Sequence, residues 1–270
     1  METQPILCYV DFTDVTDNLK LWTGFLHKKT GRAIDLLFVK DHNTRIVFNK
    51  NITDSEINQK LNQFRDESGA HTGKNYIREG CNCSLIYEIA EARDAIFTLV
   101  PVHKYKDVQF LSSTVLMKML RNSRIPCLII PENNTFHIPS HICFLANSRK
   151  TQKIVSPWLV HLSKYMDLQV QLTMPQTNET SIKQNYSFMH SFCGDHDIDT
   201  EKLTSEKSVV KTEKNIVKSN KNNIYISHLG PAPSLFDRIL GDRDAKIAAN
   251  KYGTPVFCIN SRDDLFVPCT

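Results

Sequence analysis

The chain has 270 residues, 41% of them hydrophobic and 23% charged, with a net charge of +4. Such values belong to a folded globular protein of one large or two ordinary domains, and they exclude a disordered chain. So mild a charge calls for neither a nucleic-acid nor a membrane partner. No apolar run reaches the length of a membrane span. Residues 1–5 lack the basic region and cleavable apolar stretch of a signal peptide, so a cytoplasmic protein is expected.

Residues 5–12 form a short apolar run rich in strand formers, closed by a polar cluster around Asp11 and Asp17. Over 17–29, Leu19, Trp22, Phe25 and Leu26 recur at helical spacing, and Gly31 offers a C-cap. Residues 34–40 read as a strand buried on both faces. A helix is predicted over 54–68, where Thr53 and Glu56 fit a capping box and Ile57, Leu61 and Phe64 make the apolar stripe. A weak strand at 74–79, a helix at 84–92, a strand at 95–100, a helix at 112–124 and a strand at 127–130 complete this half. Strands alternating with helices across short loops predict a parallel sheet covered on both faces.

Residues 132–139 are a polar linker flanked by prolines, and the same order then recurs. Strand 141–147, helix 151–166, strand 168–174, helix 181–193 and a strand near 199–203 lead into a lysine-striped helix near 208–218. Strand 224–227, a helix ending before Gly253 and strand 256–259 close the chain. The only tryptophans, Trp22 and Trp158, stand 136 residues apart, and Leu26/Leu162 and Leu36/Leu172 keep that offset. The closing runs Ile125-Pro126-Cys127-Leu128-Ile129-Ile130 and Thr254-Pro255-Val256-Phe257-Cys258-Ile259 are offset by 129 residues. A period this long means two copies of a whole domain.

Order and length together resemble a tandem universal stress protein, of the adenine-nucleotide α-hydrolase-like superfamily. The resemblance rests on Ile6-Leu7-Cys8-Tyr9-Val10-Asp11 as a first strand ending in Asp, on Leu36-Leu37-Phe38-Val39 as the second, and on the closing strand after a proline. It implies an α/β fold of two tandem Rossmann-like domains, 1–134 and 135–270, each a five-stranded parallel sheet flanked by helices. It also implies that the two pair through their last strands as a pseudo-twofold dimer within one chain, with a homodimer of whole chains as a further possibility.

In nucleotide-binding members of the family, the Asp ending strand one and the backbone of the strand-two Val hold adenine and ribose. A loop G-x2-G-x9-G-[ST] after strand four takes the phosphates on its backbone N–H groups. Carried over, the site of the first repeat would comprise Asp11, Val39, His103, Lys104, Ser112 and Ser113. The loop itself departs from the family pattern. Pro101-Val102-His103-Lys104-Tyr105-Lys106-Asp107 holds no glycine, and Pro101 has no N–H to donate. In the second repeat Asn147 replaces the Asp, and Gly230-Pro231-Ala232-Pro233-Ser234 sets two prolines where donors are wanted. Asp242, after Gly241, would hold the anion position from within.

Other constellations point to structure. Cys8, Cys127, Cys143 and Cys258 lie in apolar runs as small hydrophobes, and Cys81-Asn82-Cys83 lacks the two-residue gap of redox and zinc motifs. His190, Cys193, Asp195, His196 and Asp197 would spread over different faces of one helix, so no metal site is expected there. Lys207, Lys211, Lys214, Lys218 and Lys221 line one helical face, which reads as solvated surface. No nucleophile elbow, P-loop or H-E-x-x-H occurs.

The reading that follows is a non-catalytic stress-response module with degenerate nucleotide loops, needing no cofactor and binding a protein partner or a small effector. The alternatives are an ATP or AMP sensor using the first repeat alone and, third, an enzyme acting on a nucleotide.

Overall fold

Strand β1 (Ile6–Tyr9) runs parallel to β2 (Ile34–Lys40) on one side and β4 (Phe97–Val102) on the other. Strand β3 (Asn75–Glu79) flanks β2, and β5 (Cys127–Pro131) flanks β4. The second half repeats this with β6 (His141–Leu145), β7 (Gln169–Pro175), β8 (Thr200–Ser205), β9 (Ile224–Leu229) and β10 (Val256–Asn260). One ten-stranded sheet results, in the order β3-β2-β1-β4-β5-β10-β9-β6-β7-β8. This computed structural model describes residues 4–13, 15–40, 48, 52–103, 120, 123–145, 149–175, 180–205, 218, 222–229 and 253–260.

Each half therefore has the strand order 3-2-1-4-5, all parallel, and the halves meet where β5 pairs antiparallel with β10. Leu128 stands opposite Phe257, its own counterpart at the 129-residue offset, so a pseudo-twofold axis passes between them. Val256 faces Ile129 and Cys258 faces Cys127. The two tandem domains are a dimer made within one chain.

The helices follow their sequence signals. Helix α1 (Thr16–Thr30) buries Leu19, Trp22, Phe25 and Leu26, and Gly31 ends it at φ 65°, the left-handed conformation that costs glycine little. Helix α2 (Asp54–Ser68) opens with the expected capping box, in which Thr53 and Glu56 satisfy each other's backbone N–H. Helix α3 (Asn82–Ala92) starts two residues earlier than expected, with Cys81 as its N-cap residue. In the second half, α4 (Arg149–Met166) and α5 (Thr180–Gly194) repeat α1 and α2. The helices expected near 112–124, near 208–218 and before Gly253 lie outside the described residues, except for single positions.

Residues alternate between the two faces of the sheet. Ile6, Cys8, Leu36, Phe38, Leu99, Leu128, Ile142, Phe144 and Phe257 join one core that runs under both halves, shared with Trp22 of α1 and Trp158 of α4. Leu7, Tyr9, Leu37, Val39, Val100 and Ile129 face the other way, against Ile86 and Ala90 of α3. Both faces are covered, so the strands read as continuous apolar runs rather than alternating ones.

Two buried arginine arrangements hold the outer strands of the first half. The guanidinium of Arg65 donates to the carbonyls of Ile34, Ala70, Thr72 and Lys74 and to Asn75 Oδ1, and burial lowers its pKa. Asp35, in β2, accepts from Lys74 N–H and from Arg93 Nε, both at 2.8 Å.

A buried asparagine of the linker also joins the halves. Asn134, buried in the linker, accepts at Oδ1 from Trp22 Nε1 at 2.9 Å and from Asn18 Nδ2 at 3.2 Å. Its Nδ2 donates to the carbonyl of Gly253 at 2.7 Å. Gly253 sits at φ 71°, and a Cβ there would come 2.8 Å from the carbonyl oxygen of Asn133. We expect Asn134→Ala to leave a buried indole N–H and a buried carbonyl unpaired. It should cost roughly 2–4 kcal/mol, read as a lower midpoint of urea unfolding.

Candidate functional site

The ends of β1 and β4 are neighbours, because Ile6 pairs with Phe97 and Cys8 with Leu99. Past these ends stand Asp11, which closes the first-strand motif of the resemblance, and His103, from the loop that departs from the family pattern. Strand four runs over Phe97–Val102 rather than the expected 95–100. The cause lies at its start: Asp94 turns left-handed at φ 49°, and the N–H of Ala95 bonds back to Ala90 O in α3. Ala95 is thus spent on ending the helix. The strand carries Pro101 and Val102 instead, and His103 follows at the sheet's lip.

The Asp11 carboxylate is fully engaged. Its Oδ1 accepts from Thr13 Oγ1 at 2.8 Å and from Thr13 N–H at 3.2 Å, the turn that Asp favours two residues ahead of a backbone donor. Its Oδ2 accepts from His103 Nε2 at 2.6 Å. That same nitrogen lies 3.3 Å from Thr13 Oγ1. The other ring nitrogen, Nδ1, lies 4.0 Å from Glu132 Oε2. Asp11 and the His103 ring are both buried, at 3% and 7% exposure of their side chains. Three protein donors and burial leave this carboxylate little exposed to a ligand hydroxyl among the described residues.

Val39 brings backbone groups to the same end. Leu37, two residues earlier on β2, accepts from Val10 N–H, so the peptide groups of Val39 face the side of β1 beyond its last paired residue. Phe12, at φ 55°, is a left-handed non-glycine residue at the exit of β1. Its ring lies 5.4 Å from Phe38 and 5.8 Å from Phe48, making an aromatic cluster at the exit of β1. Lys60 Nζ lies 5.6 Å from the centre of the Phe48 ring.

Of the residues carried over from the family pattern, the structure brings Asp11, Val39 and His103 to one end of the sheet. Lys104, Ser112 and Ser113 lie outside the described residues, as do Asn147, the loop 230–234, Gly241 and Asp242 of the second repeat. Thr13, Glu132 and the phenylalanine cluster escaped the sequence reading. The Asp-x-Thr spacing signals the turn at Thr13; nothing local signals Glu132, which reaches the site from the linker.

Chemically the arrangement is a lock rather than a relay. Activating a nucleophile needs one imidazole nitrogen on the hydroxyl and the other on the acid. Here Nε2 faces both Asp11 and Thr13, and the Thr13 hydroxyl proton points to the carboxylate. Two carboxylates, Asp11 and Glu132, flank the ring. Among the described residues no three His, Cys, Asp or Glu side chains gather as metal ligands. His196 Nδ1 lies 2.8 Å from Phe192 O, and α5 ends at Gly194 as the sequence indicated. Burial pushes the thiols of Cys8, Cys127 and Cys143 up to about 12.

Because Thr13 and His103 both spend hydrogen bonds on Asp11, Asp11→Ala should destabilise the folded chain by about 2–3 kcal/mol, measured by urea unfolding. A carboxylate held open for a ligand would give a change within about 0.5 kcal/mol, the range of ordinary surface substitutions.

No family model and no curated protein sequence matches this chain. Solved structures do match along its whole length. A universal stress protein from Archaeoglobus fulgidus superposes with a TM-score of 0.67 at 16% identity, covering 97% of this chain and 98% of that one. A functionally unknown protein from Pseudomonas aeruginosa gives 0.66 at 10% identity, with 95% and 92% covered. A candidate universal stress protein from the same species gives 0.65 at 11% identity, with 96% and 94% covered. At such identities the likeness speaks for the fold, and together with the 3-2-1-4-5 order repeated about β5 and β10 it says which fold: this chain has the fold of a tandem universal stress protein.

Proposed function

We propose that this chain is a tandem universal stress protein whose first-repeat nucleotide position is shut from within, and that it works without catalysis as a stress-response module binding another protein or a small effector. The observation that carries this is the Asp11–His103 contact at 2.6 Å, closed on its other side by Thr13. The family resemblance would give this carboxylate to a ribose; here three of its hydrogen bonds are made by the protein. The glycine-free sequence from Pro101 to Ser113 supports the same reading, since side chains with a Cβ resist a phosphate cradle.

A cytoplasmic location fits this proposal, with Cys8, Cys127 and Cys143 buried in apolar strands as small hydrophobes. No helix among the described residues is long and apolar enough to cross a membrane.

Native mass spectrometry with and without ATP tests the reading on wild type, His103→Ala and Asp11→Ala. The expected result is a bare wild-type chain that ATP does not shift. One nucleotide on His103→Ala would then identify the histidine as what closes the site. One nucleotide on wild type, lost in Asp11→Ala, would replace the platform reading with an ATP or AMP sensor using the first repeat. Turnover of the nucleotide would make the chain an enzyme.

A further inference from the structure

The repeats differ at a buried position where their two halves touch. Helix α1 packs against α4, and Phe25 in α1 and His161 in α4 are counterparts at the 136-residue offset. The surroundings match as well: Phe25 meets Trp22 edge-on at 5.9 Å and 88°, and His161 meets Trp158 at 5.7 Å and 82°. An imidazole thus replaces a benzene ring in the same setting. His161 is 6% exposed, and its Nε2 has no hydrogen-bond partner among the described residues. Its ring lies 4.1 Å from that of Tyr165. A buried polar atom left unpaired costs about 1–3 kcal/mol, so packing alone favours phenylalanine here.

The other half aims a cation at this place. The Arg32 guanidinium, on the turn after α1, lies 5.0 Å from the Tyr165 ring centre and donates to Tyr165 Oη at 3.0 Å and to Gln4 O at 2.8 Å. Its Nε has no partner, and among the described residues no carboxylate pairs with it. Other titratable groups stand nearby: His27 of α1 has its Nδ1 2.8 Å from the Arg32 carbonyl, and α5 carries Lys183 and His190, the latter 6.1 Å from the Tyr186 ring. Lys29 at the end of α1 is bound to Asp167 at 3.2 Å, and that carboxylate is 90% exposed. Helix α5 brings Tyr186 and Cys193, while β7 carries no charged residue and β9 turns Ile224 and Ile226 to this side.

We propose that His161 is a proton-responsive latch on the seam between the repeats: neutral, it packs between Trp158 and Tyr165 as an aromatic ring, and protonated, it sets a second unpaired cation beside Arg32 and loosens α4 from α1. Burial first, and then the charge of Arg32, lower the imidazole pKa to about 4. The sign follows from linkage. The unfolded chain holds this histidine near its ordinary value of about 6.5 and binds the proton more tightly than the folded one. The full contribution to stability is present above that value and is lost as pH falls toward about 4.

The test is urea unfolding of the full chain at pH 7.5 and pH 5 for wild type, His161→Phe and Arg32→Gln. Between these conditions wild type should lose about 30-fold more in its folding equilibrium than His161→Phe, whose ring does not titrate. Arg32→Gln, which keeps a donor for Gln4 O without the charge, should lose less than wild type, and it stands as the test if His161→Phe fails to fold. Amide hydrogen exchange at pH 5, with variants compared at that one pH, should show α1 and α4 better protected in His161→Phe than in wild type. Equal losses in wild type and both variants would overturn the proposal, as would a pH effect in wild type without weaker protection of α1 and α4.

Discussion

Everything else in this molecule depends on the antiparallel pairing of β5 with β10. Without it each half ends in a bare, largely apolar strand, Cys127–Pro131 or Val256–Asn260, of the kind that invites aggregation. With it ten strands share one sheet, and the core on the α1 and α4 face becomes continuous. Phe257 is the residue through which this is felt. It sits 5.5 Å from Phe97 of the first half and 5.5 Å from Trp158 of the second, so one ring belongs to both cores. Asn134 adds a polar bond across the same junction, and because it joins the buried indole of Trp22 to the Gly253 carbonyl, linker and seam are fixed together.

Joining two copies in one chain changes what the seam can hold. In a symmetric dimer any substitution at the axis occurs twice, so a histidine facing an arginine would be matched by its mirror contact. In a tandem chain it occurs once. The repeats have used that freedom at several equivalent positions: Phe25 and His161, Gly31 and Asp167, Asp35 and Gln171. The second pair shows how independent the sites are. Gly31 takes a left-handed φ of 65° at the end of α1, and Asp167 takes 55° after α4, so the backbone path is kept while the side chain is free to bond Lys29 across the seam. Fold is retained at the level of the backbone, and specificity moves to side chains that no longer repeat.

What was legible in the sequence was local. The Thr53–Glu56 capping box and the Gly31 cap are each written within a few residues, and the strands announce themselves by apolar runs at repeating offsets. The pairing of the closing strands was legible only because the chain resembles a family that pairs them. Strand four was misplaced by two residues because Ala95 and Ile96 look like strand and nothing in their composition says that Ala95 N–H is committed to Ala90. The site suffered the same limit on a larger scale. Asp11 and His103 were named, but their contact depends on β1 lying beside β4, a neighbourhood that spans 92 residues of sequence. Glu132 enters by way of the β5 exit and has no sequence mark at all.

That contact also shows how, on the proposed reading, a nucleotide site could close without cost to the fold. A carboxylate at the end of a buried strand must find donors from somewhere, since desolvating it unpaired is worth several kcal/mol against folding. In a binding protein water and then the ligand supply them. Here Thr13 supplies two and His103 a third, from residues already fixed by the turn after β1 and the end of β4. A ribose offering its hydroxyls would exchange one satisfied set of hydrogen bonds for another and gain little, while it would have to displace a ring packed at 7% exposure. On the proposed reading the closure is selective without being strong: three of the carboxylate's hydrogen bonds are already made, which leaves little for a nucleotide to gain there.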